Sequence, residues 1–107
     1  MKKYEIYYCD LSPVVGSEQG GYRPCVIIQN DVGNRYSPTI IVAACTTSKT
    51  KSRVPTHFFT KVNNIDNVVL CEQLRTIDKS RVKNYVGEIP ENEREIFDKK
   101  LMVSLGL

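Results

Sequence analysis

Residues 25–45 read CVIIQNDVGNRYSPTIIVAAC, and the architecture turns on this stretch. Cys25 to Gln29 and Thr39 to Cys45 are short runs rich in Val and Ile, bounded by Asn, Gly and Pro, which is the pattern of strands. The segment between them, NDVGNRYSP from Asn30 to Pro38, reads as a connection. Upstream, Tyr4 to Leu11 alternates polar and apolar residues loosely. Downstream, His57 to Val62 and Val68 to Glu72 flank NNIDN, a five-residue Asn/Asp connection of the kind that closes a longer hairpin. Leu74 to Asp78 and Tyr85 to Ile89 complete a set of seven short strands.

The C-terminal segment alone reads as strongly helical. Pro90 suits a first turn, Glu91, Glu93 and Glu95 complement the positive end of the helix dipole, and Lys99 and Lys100 lie toward the negative end. Ile96, Phe97, Leu101 and Leu105 share a face that should cover a sheet, and Gly106 can stop the helix. Many closely spaced strands followed by one amphipathic helix predict a mostly β domain: a small antiparallel barrel or rolled sheet with a C-terminal helix packed on it.

The chain has 107 residues, which predicts one domain over 1–107 and excludes multi-domain cofactor enzymes. A chain of this size buries about 65% of the surface its unfolded form exposes, enough for one core without a metal or disulfide staple. The longest apolar run, Ile40 to Cys45, is six residues, far short of the roughly twenty that cross a bilayer. Glu5 and Asp10 interrupt any apolar signal region in MKKYEIYYCD, so a cytoplasmic address is expected. Cys9, Cys25, Cys45 and Cys71 form no CxxC pair, and with His57 as the one histidine there is no local metal signature. Each cysteine sits in an apolar stretch, and four buried free thiols are expected.

The connection from Ser12 to Arg23, SPVVGSEQGGYR, holds three glycines, so its backbone can adopt positive φ. It is too long for a hairpin turn, and connections of about twelve residues are where function concentrates. The 15 Lys and Arg against 12 Asp and Glu give a formal charge of +3. Residues 1–90 carry 12 basic against 8 acidic groups, so the C-terminal helix is not the source of the positive field. Thr46 to Arg53 and Arg75 to Lys83 emerge as two basic loops, able to donate to phosphate oxygens. A charged segment is equally the ordinary solvated face of a soluble domain.

There is no P-loop, GxGxxG, GxSxG or HExxH motif. RNA offers chemistry that needs no cofactor, because its own 2′-hydroxyl can attack the adjacent phosphate. The protein then has only to align the attack, move a proton and stabilise the phosphorane. Arg23, between Gly20-Gly21 and Pro24, could supply a bidentate fork to phosphate, or be an exposed loop arginine. Thr46 and Thr47 end the apolar run where a basic loop begins, placing a hydroxyl at the sheet's end or capping backbone there. Glu18 could accept a proton or be an ordinary loop acid. His57, next to Phe58, reads as a satisfied, partly buried imidazole. Gln19, Asn30, Gln73 and Arg75 are candidate readers of base edges. Tyr22, Tyr36 and Phe58 offer faces for stacking or belong to the core.

The run DLSPVVGSEQGGYRPCVIIQND, followed by PTIIVAACTTS and later CEQLRTID, closely resembles the MazF (PemK/Kid) family of sequence-specific endoribonuclease toxins over nearly the whole chain. The resemblance implies a small SH3-like barrel of the CcdB/Kid/MazF type that acts as a homodimer. It also implies cutting of single-stranded mRNA without metal or other cofactor, and neutralisation by a cognate antitoxin whose acidic, flexible C-terminal tail covers the RNA groove. By motif match the essential arginine falls on Arg23, the catalytic hydroxyl on Thr46 and a loop glutamate on Glu18. Thr47, Arg53, Gln19, Asn30, Gln73 and Arg75 are then expected to bind substrate, with a UACAU-like site preferred. The chain departs from the family pattern at Tyr4-Glu5 and in a short hairpin around Asn63 to Asn67. A gyrase-poisoning toxin of the same fold and a catalytically silent RNA-binding module stand as alternatives.

Overall fold

The computed structural model describes residues 1–47 and 54–107. Strands β1 (Glu5–Asp10), β2 (Tyr22–Ile27), β3 (Thr39–Thr46), β4 (His57–Val62), β5 (Ile65–Asp78) and β6 (Val82–Glu88) form one sheet in the order β4-β5-β3-β2-β1-β6. Every pairing is antiparallel. The sheet curls into a half-barrel, the architecture predicted from the strand spacing.

The apolar runs are continuous because the curled sheet buries both of its faces. Along β2 and β3 successive residues alternate between two cores. Val26, Ala43 and Cys45 join Ile6, Phe58, Val69, Cys71, Ile89 and Phe97 on the side covered by the C-terminal helix. Cys25, Ile27, Val42 and Ala44 join Cys9, Leu11, Ile40 and Ile77 on the other. All four cysteines are buried and free, as predicted.

Strands β2 and β6 begin earlier than predicted, at Tyr22 and Val82, which puts Arg23 on a strand rather than in the loop, and three further elements differ from the sequence reading. The connection after β2 contains helix α1 (Asp31–Tyr36), started by Asn30, whose Oδ1 accepts from the Gly33 N–H at 2.9 Å. The two strands expected over Val68–Glu72 and Leu74–Asp78 are one, β5, giving six strands among the described residues in place of seven. The β4–β5 connection is also tighter than predicted: Val62 pairs with Ile65 across Asn63 and Asn64, which take φ of 52° and 62°. Asn tolerates this left-handed conformation better than other residues with a Cβ, and two such residues match the strand twist.

A 3-10 turn (Glu91–Glu93) after Pro90 leads into helix α2 (Arg94–Leu105), and Gly106 ends it at φ 71° as expected. Phe97 is fully buried, edge-on to Phe58 at 5.1 Å and to Tyr4 at 6.2 Å. Leu101 packs on the same core, and Ser104 Oγ donates to the Cys71 carbonyl at 2.5 Å. The docked stripe is therefore Phe97–Leu101–Ser104, spaced i, i+4, i+7. That rotation leaves Ile96 and Leu105, expected on the sheet-facing side, 55% and 59% exposed.

Candidate functional site

The β2–β3 register brings the two central candidates together. Cys25 lies opposite Ala44 and Val26 opposite Ala43, so extending the ladder by two residues sets Arg23 against Thr46. Both line a cavity of about 300 Å3 with Tyr8, Tyr22, Pro24, Cys45, Thr47 and the β4–β5 hairpin residues Asn63, Ile65 and Asn67. Groups separated by more than twenty positions in the chain thus share one opening.

Arg23 is half-buried and held along its Nε–Nη1 edge by the loop and by β3. Its Nε donates to the Gly20 carbonyl at 2.7 Å, and its Nη1 donates to Gln19 Oε1 at 2.5 Å and to the Cys45 carbonyl at 3.5 Å. Nη2 has no hydrogen-bond acceptor among the described residues. The Thr46 hydroxyl is also loosely committed, with a 3.4 Å bond to the Thr47 carbonyl. A guanidinium with a spare N–H edge beside a spare hydroxyl can receive an anionic oxygen pair.

The Ser12–Gly21 loop between β1 and β2 forms the wall behind Arg23. Its base is closed by the Leu11 N–H donating to the Gly21 carbonyl at 3.0 Å, and the Gly21 N–H donates to Ser12 Oγ at 3.0 Å. Gly21 takes φ of 76°, and a Cβ on Gly20 would meet Val14 Cγ2 at 2.5 Å, so both positions require glycine. Two arginines strap the loop from outside. Arg75 donates to the carbonyls of Leu11 and Pro13, and Arg81 to those of Asp10 and Ser12.

Several expectations change in consequence. The basic segment Arg75–Lys83, predicted to present donors to phosphate, spends them on backbone. Besides the two arginines, Lys79 donates to the Asn34 carbonyl and Lys83 to that of Ser80 at 2.8 Å. Arg75 is a brace of the loop in this structure. Asn30 caps α1 at the end of β2 opposite to Arg23 and lines neither cavity described here. Glu18 lines an adjoining cavity of about 500 Å3, and its Oε1 accepts from the Val15 N–H at 2.8 Å. Gln19 and Gln73 line that same cavity with Leu11, Val42, Ala44, Leu74 and Arg75. Thr47 is exposed beside Thr46 and lines the Arg23 cavity. Arg53 and most of the Thr46–Arg53 basic loop lie outside the described residues.

Among the aromatic candidates, Tyr22 is at the cavity and stacks on Tyr8, with rings 5.1 Å apart and 8° from parallel. Phe58 is core, and Tyr36 is exposed at the end of α1. Sequence reading passed over Tyr8, Asn63 and Asn67. Tyr8 differs from its neighbour Tyr7 only in strand phase, while the two asparagines reach the cavity because the hairpin curls over it. His57 is partly buried as predicted, with Nε2 2.8 Å from Glu72 Oε1, but it is not fully satisfied: its buried Nδ1 has no hydrogen-bond partner among the described residues. Burial raises the Glu72 pKa, but bonds from Thr56, its own backbone and His57 outweigh this and hold it below the usual carboxylate range. Among the described residues, no three metal-ligating side chains cluster and no helix is long and apolar enough to cross a membrane.

The chain is 46% identical, over an alignment of 111 residues, to Endoribonuclease EndoA of Bacillus subtilis (strain 168), covering all of this chain and 96% of that protein. Its fold superposes on MazF (Form-I) from Deinococcus radiodurans with a TM-score of 0.85 at 23% identity, covering 100% and 97% of the two chains. An endoribonuclease solved in complex with its cognate antitoxin from mycobacterial species gives a TM-score of 0.82 at 23% identity, covering 100% and 96%. The family model that describes PemK-like, MazF-like toxins of type II toxin-antitoxin systems matches residues 2–105, and this chain belongs to that family.

Proposed function

We propose that the protein is the endoribonuclease toxin of a toxin-antitoxin pair, cutting single-stranded mRNA in the cytoplasm at a specific sequence. The observation that carries the reading is the Nη2 edge of Arg23, unspent among the described residues, beside the loosely held Thr46 hydroxyl in one cavity. The 46% identity to an endoribonuclease supports it independently. In the reaction the substrate's 2′-oxygen forms a bond to the adjacent phosphorus, and the bond from phosphorus to the 5′-oxygen breaks. The 2′-proton passes to a base and the departing 5′-oxygen gains a proton, so the products are a cyclic phosphate and a 5′-hydroxyl. Guanidinium groups stay protonated in proteins, so Arg23 stabilises the charge that builds on the phosphorane oxygens. Thr46 orients one of those oxygens. Glu18, across the loop wall with Oε2 unengaged among the described residues, is the candidate proton acceptor. No step in this scheme calls for a metal.

The stacked Tyr8–Tyr22 pair offers an aromatic face to a base next to the scissile linkage, and the adjoining cavity takes the neighbouring nucleotide. Ile96, Met102 and Val103 leave an apolar strip exposed on α2, which supports assembly as a homodimer. Relatives of the same fold solved with their antitoxins support an antitoxin partner, and an acidic flexible tail suits a groove that holds Arg23. A gyrase-binding role would leave the paired arginine and hydroxyl without a task.

The test is incubation with a long single-stranded RNA containing UACAU-like sites, in excess chelator, beside the same RNA methylated on the 2′-oxygen at the cut position. Cutting of the first alone is expected. Loss of cutting in chelator overturns the metal-free scheme, and cutting of the methylated RNA overturns the assignment of the nucleophile. Arg23→Ala is expected to abolish cleavage with the fold intact.

A further inference from the structure

The geometry points to Gln73 as a positioning residue that fixes the Arg23 guanidinium through Gln19, rather than a reader of bases. The inference rests on the ribonuclease reading above for its kinetic consequence, but not for its structural one.

The contacts form a relay from sheet to loop to guanidinium. Gln73 Oε1 accepts from the Gln19 N–H at 2.8 Å, and Gln73 Nε2 donates to the Ser17 carbonyl at 3.5 Å. One partner is a donor and the other an acceptor, so the Gln73 amide has a single orientation that serves both. Gln19, with its backbone pinned, turns Oε1 onto Arg23 Nη1 at 2.5 Å. The relay matters because Arg23 is preceded by Gly20 and Gly21, the least restricted residues of the loop. Without the clamp at Gln19, the Gly20 carbonyl alone would hold the guanidinium's loop side.

A second observation explains why Gln73 reaches the loop. β3 and β5 pair at Cys45↔Val69 and again at Ala43↔Leu74, so β3 has only Ala44 where β5 has Leu70 to Gln73. This irregularity swings the middle of β5 out of the ladder, and Gln73 is its last residue before regular pairing resumes. Bulges re-aim side chains in this way beside functional sites. The same strand carries Arg75, which straps Leu11 and Pro13, so β5 holds the loop at both ends. With its oxygen on the Gln19 N–H and one N–H toward the Ser17 carbonyl, the Gln73 amide has its orientation set by the loop, and turning it to a base edge would give up the Gln19 link.

The test compares Gln73→Ala and Gln73→Glu with the unchanged protein. A carboxylate at 73 still accepts from the Gln19 N–H, so the second variant keeps the link that matters. Gln73→Ala is expected to lower kcat on a defined single-stranded oligonucleotide about 10- to 100-fold, the scale of a misplaced catalytic group. KM should stay within about twofold and the cut pattern on a long RNA should be unchanged, as for a contact felt only in the transition state. Gln73→Glu should recover most of the loss. In RNA-free protein, NMR of the Arg23 guanidinium should show faster Nε–H exchange and freer rotation of its Nη groups in Gln73→Ala, and near-native behaviour in Gln73→Glu. A relaxed cut pattern or raised KM with kcat preserved would make Gln73 a base reader and overturn the inference. So would an Arg23 spectrum indifferent to both substitutions. Should the unchanged protein cut no RNA, the functional reading fails, and the Arg23 spectra still decide the relay.

Discussion

Replacing Thr46 with valine isolates the hydroxyl from everything else the residue does. Thr46 ends β3, paired with Val68, and valine keeps its β-branched shape and strand preference. Among the described residues the hydroxyl's one protein contact is the long bond to the carbonyl of Thr47, an exposed residue where water replaces the lost donor. The folding cost should therefore stay within the roughly 0.5 kcal/mol typical of surface changes. For a domain of this size that corresponds to a Tm shift below about 4 °C. The cost to catalysis should be far larger. If Thr46 donates to an oxygen that gains charge only in the phosphorane, its loss removes one preorganised donor, worth about 100- to 1,000-fold in kcat or about 2.7–4 kcal/mol. Single-turnover cleavage of a defined oligonucleotide measures this beside thermal unfolding of the same preparation. Thr46→Ser, which restores the oxygen without the methyl, should lie within about tenfold of the original. Cleavage by Thr46→Val within a factor of about three of the original rate refutes the assignment. So does a loss of activity that merely follows a loss of fold.

Four other outcomes follow from the same structure. Glu18→Gln should lower kcat by about 100-fold or more and remove the acid limb of the pH–rate profile if Glu18 takes the 2′-proton, whereas an unchanged profile would leave it a loop brace on Val15. Phe97→Ala empties the fully buried contact between α2, Phe58 and Tyr4, and should cost about 3–5 kcal/mol in urea unfolding; a loss under about 1 kcal/mol would mean α2 is docked some other way. Burial, reinforced by the hydrogen bond to Asp98, holds the Tyr4 phenol up to about 12, above its ordinary 10.0. Its stabilising contribution is whole below about pH 10 and is lost as pH rises toward about 12, so Tyr4→Phe should shallow the alkaline fall in Tm, the remainder coming from Tyr7, which is raised likewise. Burial also pushes the thiols of Cys45 and Cys71 up to about 12, and all four cysteines are fully buried, so a thiol reagent at neutral pH should label none in the native protein and all four in denaturant.

The parts of the fold that were legible in the sequence are those where side-chain chemistry alone chooses the backbone. Val and Ile runs marked β2 and β3, and Gly106 marked the end of α2. Helix α1 was hidden because its six residues include Gly33 and two other poor helix formers, Val32 and Asn34. Tertiary contacts settle it: the Lys3 N–H donates to Asp31 Oδ1 and Lys79 Nζ to the Asn34 carbonyl, constraints no local pattern announces. The expected break at Gln73 was a real signal misassigned, since the chain there leaves the β3 ladder without ending the strand. Ile96 and Leu105 were misplaced because a helix of mixed composition offers two overlapping apolar stripes, and Ser104 bonding to Cys71 fixes which one docks.

The candidate site divides along the same line. Arg23 and Thr46 stood out because a motif named them, and the β2–β3 register supplies the physical reason they meet. The roles of Arg75 and Arg81 were illegible, because a basic residue's partner is set by which carbonyls the fold leaves pointing outward. Those partners change how the charge works. An arginine bonded to loop carbonyls keeps its charge and still draws RNA toward the surface, but it must give up a backbone bond to grip a phosphate directly. Under the proposed function, the positive field over β5 and the turn at Lys79 to Arg81 would serve approach, and tight contact would fall to Arg23, whose Nη2 has no acceptor among the described residues. Specificity, on this view, comes from the shape of two cavities and the Tyr8–Tyr22 stack beside one well-placed guanidinium, which is why the clamp on that guanidinium matters more than the number of basic residues around it.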